Sequence, residues 1–339
     1  DALQVLCATG VKAVFYAKDA HKTLAFRADM DALPVEEKKG AEYASLHRGC
    51  MHACGHDAHM ATMLTLAHLA ANARDEGSLK HNMVFLFEPA EEEDGGALPL
   101  IREGALKDPD VDEIYGLHVW PQLEQGMIGI REGTQMSCLT DFDVIIHGKS
   151  AHGAQPQEGV DALVAAASFI TAAQTLISRV TDPLQMAALT FGCIEGGTSR
   201  NVICPRVSIG GTLRTFDNAL TDRIMAGLRD ILAGLEQANG VKTQLKTLVE
   251  YPAVVNLPPL TDKVVSAAKA AGVPVAEVAP ALPSEDFSRY QQAANGVFFF
   301  LGTGSPAHHA PLHADTFDLD EGALIGGLAV LCRVAEIDG

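Results

Sequence analysis

The stretch Thr140-Asp141-Phe142-Asp143-Val144-Ile145-Ile146-His147 places Phe142, Val144 and Ile146 on one face of a strand and Asp141, Asp143 and His147 on the other. That two-residue alternation is the mark of a half-buried strand. It differs from the strands upstream. Met83-Val84-Phe85-Leu86-Phe87 is apolar on both faces, and 114–119 reads the same way. Such doubly buried strands belong inside a parallel sheet. The change in pattern near Ser137 therefore marks a boundary.

The next hundred residues give helix 161–179, paired strands at 186–194 and 207–216, helix 220–238 and a last alternating strand at 241–249. The order β-α-β-β-α-β is the ferredoxin-like arrangement, an open sheet with two helices on one face. It ends near Glu250, where Tyr251-Pro252 and Pro258-Pro259 break the pattern.

On either side the earlier style holds. Strand 23–28 runs into the acidic turn Asp29-Met30-Asp31, and helix 58–73 follows. After the interruption come helix 262–271, the apolar strand 297–301 and a helix over 321–337. The expected fold is α/β. A mainly parallel central sheet flanked by helices is built from 1–136 and 251–339, and an inserted ferredoxin-like α+β domain spans 137–250.

Composition narrows the partners. The 339 residues are 47 % hydrophobic and 20 % charged, ordinary for a chain with a sizeable core. Lys and Arg total 25 against 43 Asp and Glu, a formal charge of -18. That sign repels nucleic acid and anionic membrane surfaces. No uninterrupted apolar run approaches the roughly 18 residues of a membrane span. The seven cysteines are odd in number and widely spaced. They fit free thiols in a reducing compartment, so a cytoplasmic location is expected.

Four clusters carry chemistry. Met51-His52-Ala53-Cys54-Gly55-His56-Asp57-Ala58-His59 enters an apolar helix. Thiolate and imidazole are strong ligands for zinc and similar ions, and Cys54 and His56, two apart, can face one site. Glu88-Pro89-Ala90-Glu91-Glu92-Glu93-Asp94 follows an apolar strand, where ligands of α/β sheets gather. One of two adjacent carboxylates can bind a cation while its neighbour moves a proton. His118 ends another strand, and Ala307-His308-His309-Ala310-Pro311-Leu312-His313 supplies a second His-rich loop. A solvated turn would explain any one of these. Four metal-competent patches beyond strands of one domain point to a shared metal site.

With these segments and others the chain resembles the co-catalytic metallohydrolases of the aminoacylase and carboxypeptidase G type, which have a zinc-exopeptidase-like fold. The nearest branch holds hippurate hydrolases, bacterial N-acyl-amino-acid amidohydrolases and plant auxin-conjugate hydrolases. The matches include Arg27-Ala28-Asp29-Met30-Asp31, the 51–59 block, Pro89-Ala90-Glu91-Glu92, Gly148-Lys149-Ser150-Ala151-His152-Gly153, Thr198-Ser199-Arg200-Asn201-Val202, Gly211-Thr212-Leu213-Arg214, Ser284-Glu285-Asp286-Phe287 and Pro311-Leu312-His313. They occur in the family's order over nearly the whole chain. The resemblance implies metal-dependent hydrolysis of an N-acyl amino acid, a small-molecule substrate, with two divalent ions: zinc or manganese, with cobalt or nickel as further candidates.

Carried over position by position, Cys54 resembles a bridging ligand, and His56, Glu92, His118 and His313 the other ligands. Glu91 resembles the general base, and Asp31 an acid that orients a metal-bound His. On the inserted domain His152 resembles the group that steadies the oxyanion. Asn201 and Arg214 resemble the pair that holds the substrate carboxylate. A homodimer or higher homo-oligomer is implied, with the inserted domain as lid or dimerisation element. Glu88 departs from the pattern, since this branch usually carries Gln there.

Three other readings remain at this point. One is a metallo-dipeptidase or carboxypeptidase. Another makes Cys54 a nucleophile activated by His56. The third is a metal-bound protein that binds acyl amino acids without cleaving them.

Overall fold

The structure, a computed structural model, describes residues 1–337. Strands β1 (Ala2–Leu6), β2 (Gly10–Phe15) and β3 (Thr23–Asp29) precede helix α1 (His56–Asp75). Next come β4 (Asn82–Glu88), α2 (Ala97–Arg102), β5 (Glu113–Glu124), β6 (Ile128–Ile130) and β7 (Gly133–Met136). Then follow β8 (Cys138–His147), α3 (Ala162–Thr175), β9 (Ala187–Gly196), β10 (Arg206–Thr215), α4 (Asn218–Asn239) and β11 (Lys242–Tyr251). The last third holds β12 (Val254–Asn256), α5 (Pro258–Ala270), β13 (Val275–Glu277), α6 (Phe287–Ala293), β14 (Asn295–Gly304) and α7 (Gly322–Ala335).

These elements fall into two units. The first comprises Asp1–Gln135, Val254–Pro280 and the chain from Glu285 onward; the second comprises Met136–Ala253 with Ala281–Ser284. The first unit carries an eight-stranded sheet of order β1-β2-β4-β3-β5-β14-β6-β13. Its centre, β4-β3-β5-β14, runs parallel, while β1 and β2 pair antiparallel at one edge. The central strands are apolar on both faces because both are covered. Leu24, Phe26 and Phe85 are completely buried with Met63 and Leu66 of α1, Val264 of α5 and Val330 of α7. Each such side chain contributes roughly 1.5–3 kcal/mol of burial energy. On β5, Gly116 leaves room for Phe287 of α6 and Phe298 of β14; a Cβ there would lie 2.5 Å from the Phe298 ring.

The second unit is an antiparallel sheet of order β11-β8-β10-β9. Phe142, Val144 and Ile146 of β8 are buried together with Ala165 and Phe169 of α3 and Leu228 of α4. Both helices start on capping aspartates. Asp161 accepts from the Leu163 and Val164 amides, and Asp217 from those of Ala219 and Leu220. The stretch Ala162–Val180 is apolar and long enough to cross a membrane by length and composition. In this fold the buried residues of α3 form part of the unit's core.

Several features lie outside the sequence expectations, the following among them. The edge strands β1 and β2 were not expected, nor was α6. The short run Ala281–Ser284 joins the second unit through the Ser137 amide, which donates to Ala281 O at 3.0 Å, and the Ser137 hydroxyl, which donates to Leu282 O at 2.5 Å. All seven cysteines are free.

Candidate metal centre

Every expected metal ligand lies in the first unit, around the ends of β3, β4, β5 and β14. The chain leaves β4 through Pro89 and turns sharply at Ala90, which holds a left-handed φ of 62°. Gly96 closes the loop; a Cβ on it would sit 1.9 Å from Pro89 O. Glu91 and Glu92 project from this turn. The 51–59 segment is anchored by a Leu33–Met51 bridge and ends at Gly55, whose φ of 79° starts α1. His313, also left-handed at φ 68°, donates its amide to Ala53 O at 2.7 Å. Strained backbone at Ala90 and His313 persists only where its surroundings over-determine it, and it gathers at functional sites.

The side chains converge. Cys54 Sγ lies 3.5 Å from His118 Nε2. Cys54, His56 and Glu92 offer ligand atoms within 4.8 Å of one another. Glu92 Oε1 is 3.0 Å from His313 Nε2 and 3.9 Å from His56 Nε2. Asp31 lies behind these residues. Its Oδ1 is 3.3 Å from His56 Nδ1, and its Oδ2 accepts the Glu92 amide at 2.9 Å. His118 donates Nδ1–H to Val119 O at 2.7 Å, which leaves the Nε2 lone pair free to bind.

His59 stands apart from the other imidazoles. Its Nδ1 is 2.6 Å from Asp29 Oδ1, and its Nε2 accepts the Val119 amide at 2.9 Å. Both nitrogens are spent, so His59 holds the strand beside His118 and has no lone pair for a cation. Asp29 is equally committed, with its second oxygen 2.6 Å from Arg27 Nη1.

Arg27 is the hub beneath the centre. It is 1 % exposed and touches four carboxylates: Asp29, Glu88 at 2.7 Å, Glu285 at 3.0 Å and Asp286 at 2.8 Å. Glu91 adds a further carboxylate next to Glu285 and Asp286. Sequence reading assigned no role to Arg27, His59, Glu285 or Asp286. An ionisable residue inside an otherwise apolar strand, Arg27 in 24–28, was the available signal.

The titration behaviour follows from this crowding. Burial works against charge on His56, yet Asp29 and Asp31 carry it up to about 9. Burial and the neighbouring His59 and His56 hold His118 neutral, far below its ordinary value. Burial, then Glu285 and Asp286, push the Glu91 carboxyl well up. Burial and Glu92 push the Cys54 thiol up as well. One guanidinium faces Asp29, Glu88, Glu91, Glu285 and Asp286, and His56 Nε2 is buried without a hydrogen-bond partner among the described residues. Buried negative charge in such excess calls for cations. A thiol, three imidazoles and carboxylates are the donor set that divalent transition ions take.

The remaining expected residues lie in the second unit. His152 bridges Val202, and the Gly153 amide donates to Asn201 O at 2.7 Å, so His152 and Asn201 are neighbours beyond the end of β8. Arg214 is elsewhere. It pairs with Leu139 at the start of β8, and its Nη1 donates to Leu282 O at 3.2 Å. The span from Arg206 to Arg214 on β10 is about 25 Å at strand rise. The expectation that Asn201 and Arg214 together grip one carboxylate is therefore not met within one chain, because they sit at opposite ends of their sheet.

Fold and site together define a metallohydrolase. Residues 25–337 match the model of peptidase family M20/M25/M40, and the chain belongs to that family. It is similar to an N-acetyl-L-cysteine deacetylase from Bacillus subtilis, 40 % identical over 318 residues that cover 94 % of this chain and 74 % of the relative. An N-acetyldiaminopimelate deacetylase from Streptococcus sanguinis is 38 % identical over 311 residues, 91 % of this chain and 81 % of the relative. Among solved structures, a dinuclear metal binding peptidase of the M20 family from Bacillus subtilis superposes with a TM-score of 0.83 at 30 % identity, covering 98 % of this chain and 86 % of that one.

Proposed function

We propose that the chain hydrolyses the amide bond of N-acyl amino acids, releasing a carboxylic acid and a free amino acid. The observation that carries this reading is the convergence of Cys54, His56, Glu92, His118 and His313, from four separate segments, beside the buried carboxyl of Glu91. The two deacetylases named above support the acyl-amino-acid class.

The five converging residues would hold two divalent cations, which polarise a carbonyl and acidify water when bound. The cysteine and histidines favour zinc; the carboxylate accepts manganese, cobalt or nickel. Glu91 takes a proton from the attacking water and returns it to the departing nitrogen. Burial, Glu285 and Asp286 push the Glu91 carboxyl up; divalent cations beside it, when bound, would favour the carboxylate form that accepts the proton. Asp31 steadies the His56 ring and the Glu92 backbone. We assign His152 the role of steadying the developing oxyanion. The Cys54 thiol, pushed up by burial and Glu92, is unsuited to act as a free nucleophile.

Because His152 and Asn201 lie at one end of their sheet and Arg214 at the other, a complete substrate site takes one end from each of two copies. This supports a homodimer. The cytoplasm suits the seven free thiols.

The test is metal stripping, reloading with zinc, manganese, cobalt or nickel singly, and a substrate panel. N-acetyl and N-benzoyl amino acids should turn over only in reloaded protein. Full activity after stripping, or turnover of dipeptides in preference to acyl amino acids, would overturn the reading.

A further inference from the structure

Glu88 is completely buried at the end of β4. Its Oε2 accepts from Arg27 Nε at 2.7 Å and from the Tyr290 hydroxyl at 2.9 Å. Its Oε1 is sealed from solvent and has no donor among the described residues. A buried carboxylate oxygen without a donor is costly. A second carboxyl lies within side-chain hydrogen-bond reach of Glu88: Asp286, whose Oδ1 accepts from Arg27 Nη2 at 2.8 Å and whose Oδ2 accepts the Ala97 amide at 2.9 Å.

From this geometry we propose that Glu88 is a neutral carboxylic acid whose Oε1–H donates to the Asp286 carboxylate, and that the pair is a positioning device for the loop bearing Glu91 and Glu92. The proposal rests on the hydrolase reading above only for the role of that loop. One proton satisfies the orphaned oxygen and removes one negative charge from a hub that has a single guanidinium. The groups facing Glu88 are Arg27 from β3, Asp286 and Tyr290 at α6, and Cys7 between β1 and β2; Asp29 and Glu285 share Arg27, and Glu91 lies beside Asp286. All but Arg27 are neutral or acidic. Burial, with Asp286 beside it, holds the proton on Glu88 against the pull of Arg27. A buried cation on Glu91, Glu285 and Asp286 would be the other way to balance the cluster, and metal analysis separates the two.

The device acts at a distance from substrate. Asp286 fixes Ala97, the first residue of α2, at the far end of the turn that begins at Pro89. Arg27, through Asp29 and His59, fixes the Val119 amide next to His118. The acid–carboxylate pair therefore ties the base-bearing loop and a metal-ligand strand to one rigid centre.

Infrared difference spectroscopy between wild type and Glu88→Gln, with metal content measured in parallel, tests the proposal without relying on turnover. Wild type should show a protonated carboxylic-acid carbonyl band at neutral pH that Glu88→Gln lacks. The amide reproduces a neutral acid, donating to Asp286 and accepting from Arg27 and Tyr290, so Glu88→Gln should keep kcat within about threefold and the same metal content. Glu88→Ala, which leaves Asp286 without that donor, should lose at least tenfold in kcat with KM little changed. No acid band, an extra equivalent of bound metal lost with Glu88→Gln, or Glu88→Gln as damaged as Glu88→Ala would each overturn it. A silent enzyme that retains the band would sink the hydrolase reading and leave Glu88 protonated.

Discussion

Glu91 and His59 show how the same residue types divide between chemistry and scaffold. Glu91 has an enclosed carboxyl pushed up by burial, Glu285 and Asp286, whereas His59 has both ring nitrogens committed at 2.6 and 2.9 Å. Glu91→Gln should keep bound metal and folding while turnover falls by about 10²–10⁴, the usual worth of a positioned acid–base group. Metal analysis beside steady-state rates checks this; near-wild-type turnover would mean that another group moves the proton. Cys54, His56 and His118 were legible in the sequence because metal-competent types cluster tightly or end an apolar strand. That His59 braces the strand beside His118 was not. It depends on Asp29 and the Val119 amide, thirty and sixty residues away, which no local pattern reports.

At the scale of elements, the start of α1 is set by Gly55. Its φ of 79° is strained for any residue with a Cβ, and that Cβ would lie 2.4 Å from Val119 Cγ2. Gly55→Ala should cost about 2–4 kcal/mol by adding backbone strain to overpacking. Cys54 and His56 flank it, so metal affinity should fall along with Tm. Unchanged affinity at lowered Tm would separate helix start from site. At the opposite end of β5, Glu113 receives Tyr115 OH at 2.5 Å, Lys263 Nζ at 2.9 Å and a contact from Lys22. Burial alone would raise its carboxyl, but these donors bring it down to about 2. A folded-state value below the unfolded one stabilises above pH about 4.3 and is lost as pH falls through about 2. Glu113→Gln should therefore be less stable than wild type by on the order of 2 kcal/mol at pH 7, after allowing for the solvated lysines. Urea titrations should show the gap closing between pH about 4 and 2. A gap that does not change with pH would mean that packing, not charge, sets it. Apolar runs announced β3, β4, β5 and β14; the edge strands β1 and β2 carry mixed residues and short lengths, and only the pairing of β2 with β4 and of β1 with β2 defines them.

Over the whole molecule the sequence disclosed a change of architecture, because alternation in β8 and continuous apolarity in β4 answer to different burial. It could not disclose that Ala281–Ser284 belongs with the second unit, nor which ends of that unit's sheet carry which residues. The latter has the larger consequence. His152 and Asn201 lie beyond one end of β10 and Arg214 near the other; in the homodimer proposed above, the two groups would serve different substrate sites. His152→Ala and Arg214→Ala should each be nearly inactive alone. In a two-fold dimer formed by dissociating and randomly reassociating an equal mixture, half the dimers are mixed, and each mixed dimer holds one site with both residues intact. About a quarter of wild-type activity should return. The mixture must be compared with each variant at the same total concentration, with dimer content checked by sedimentation. Recovery no greater than the average of the separate variants, in a sample shown to contain mixed dimers, would place both residues in the same site and remove the support for a shared one.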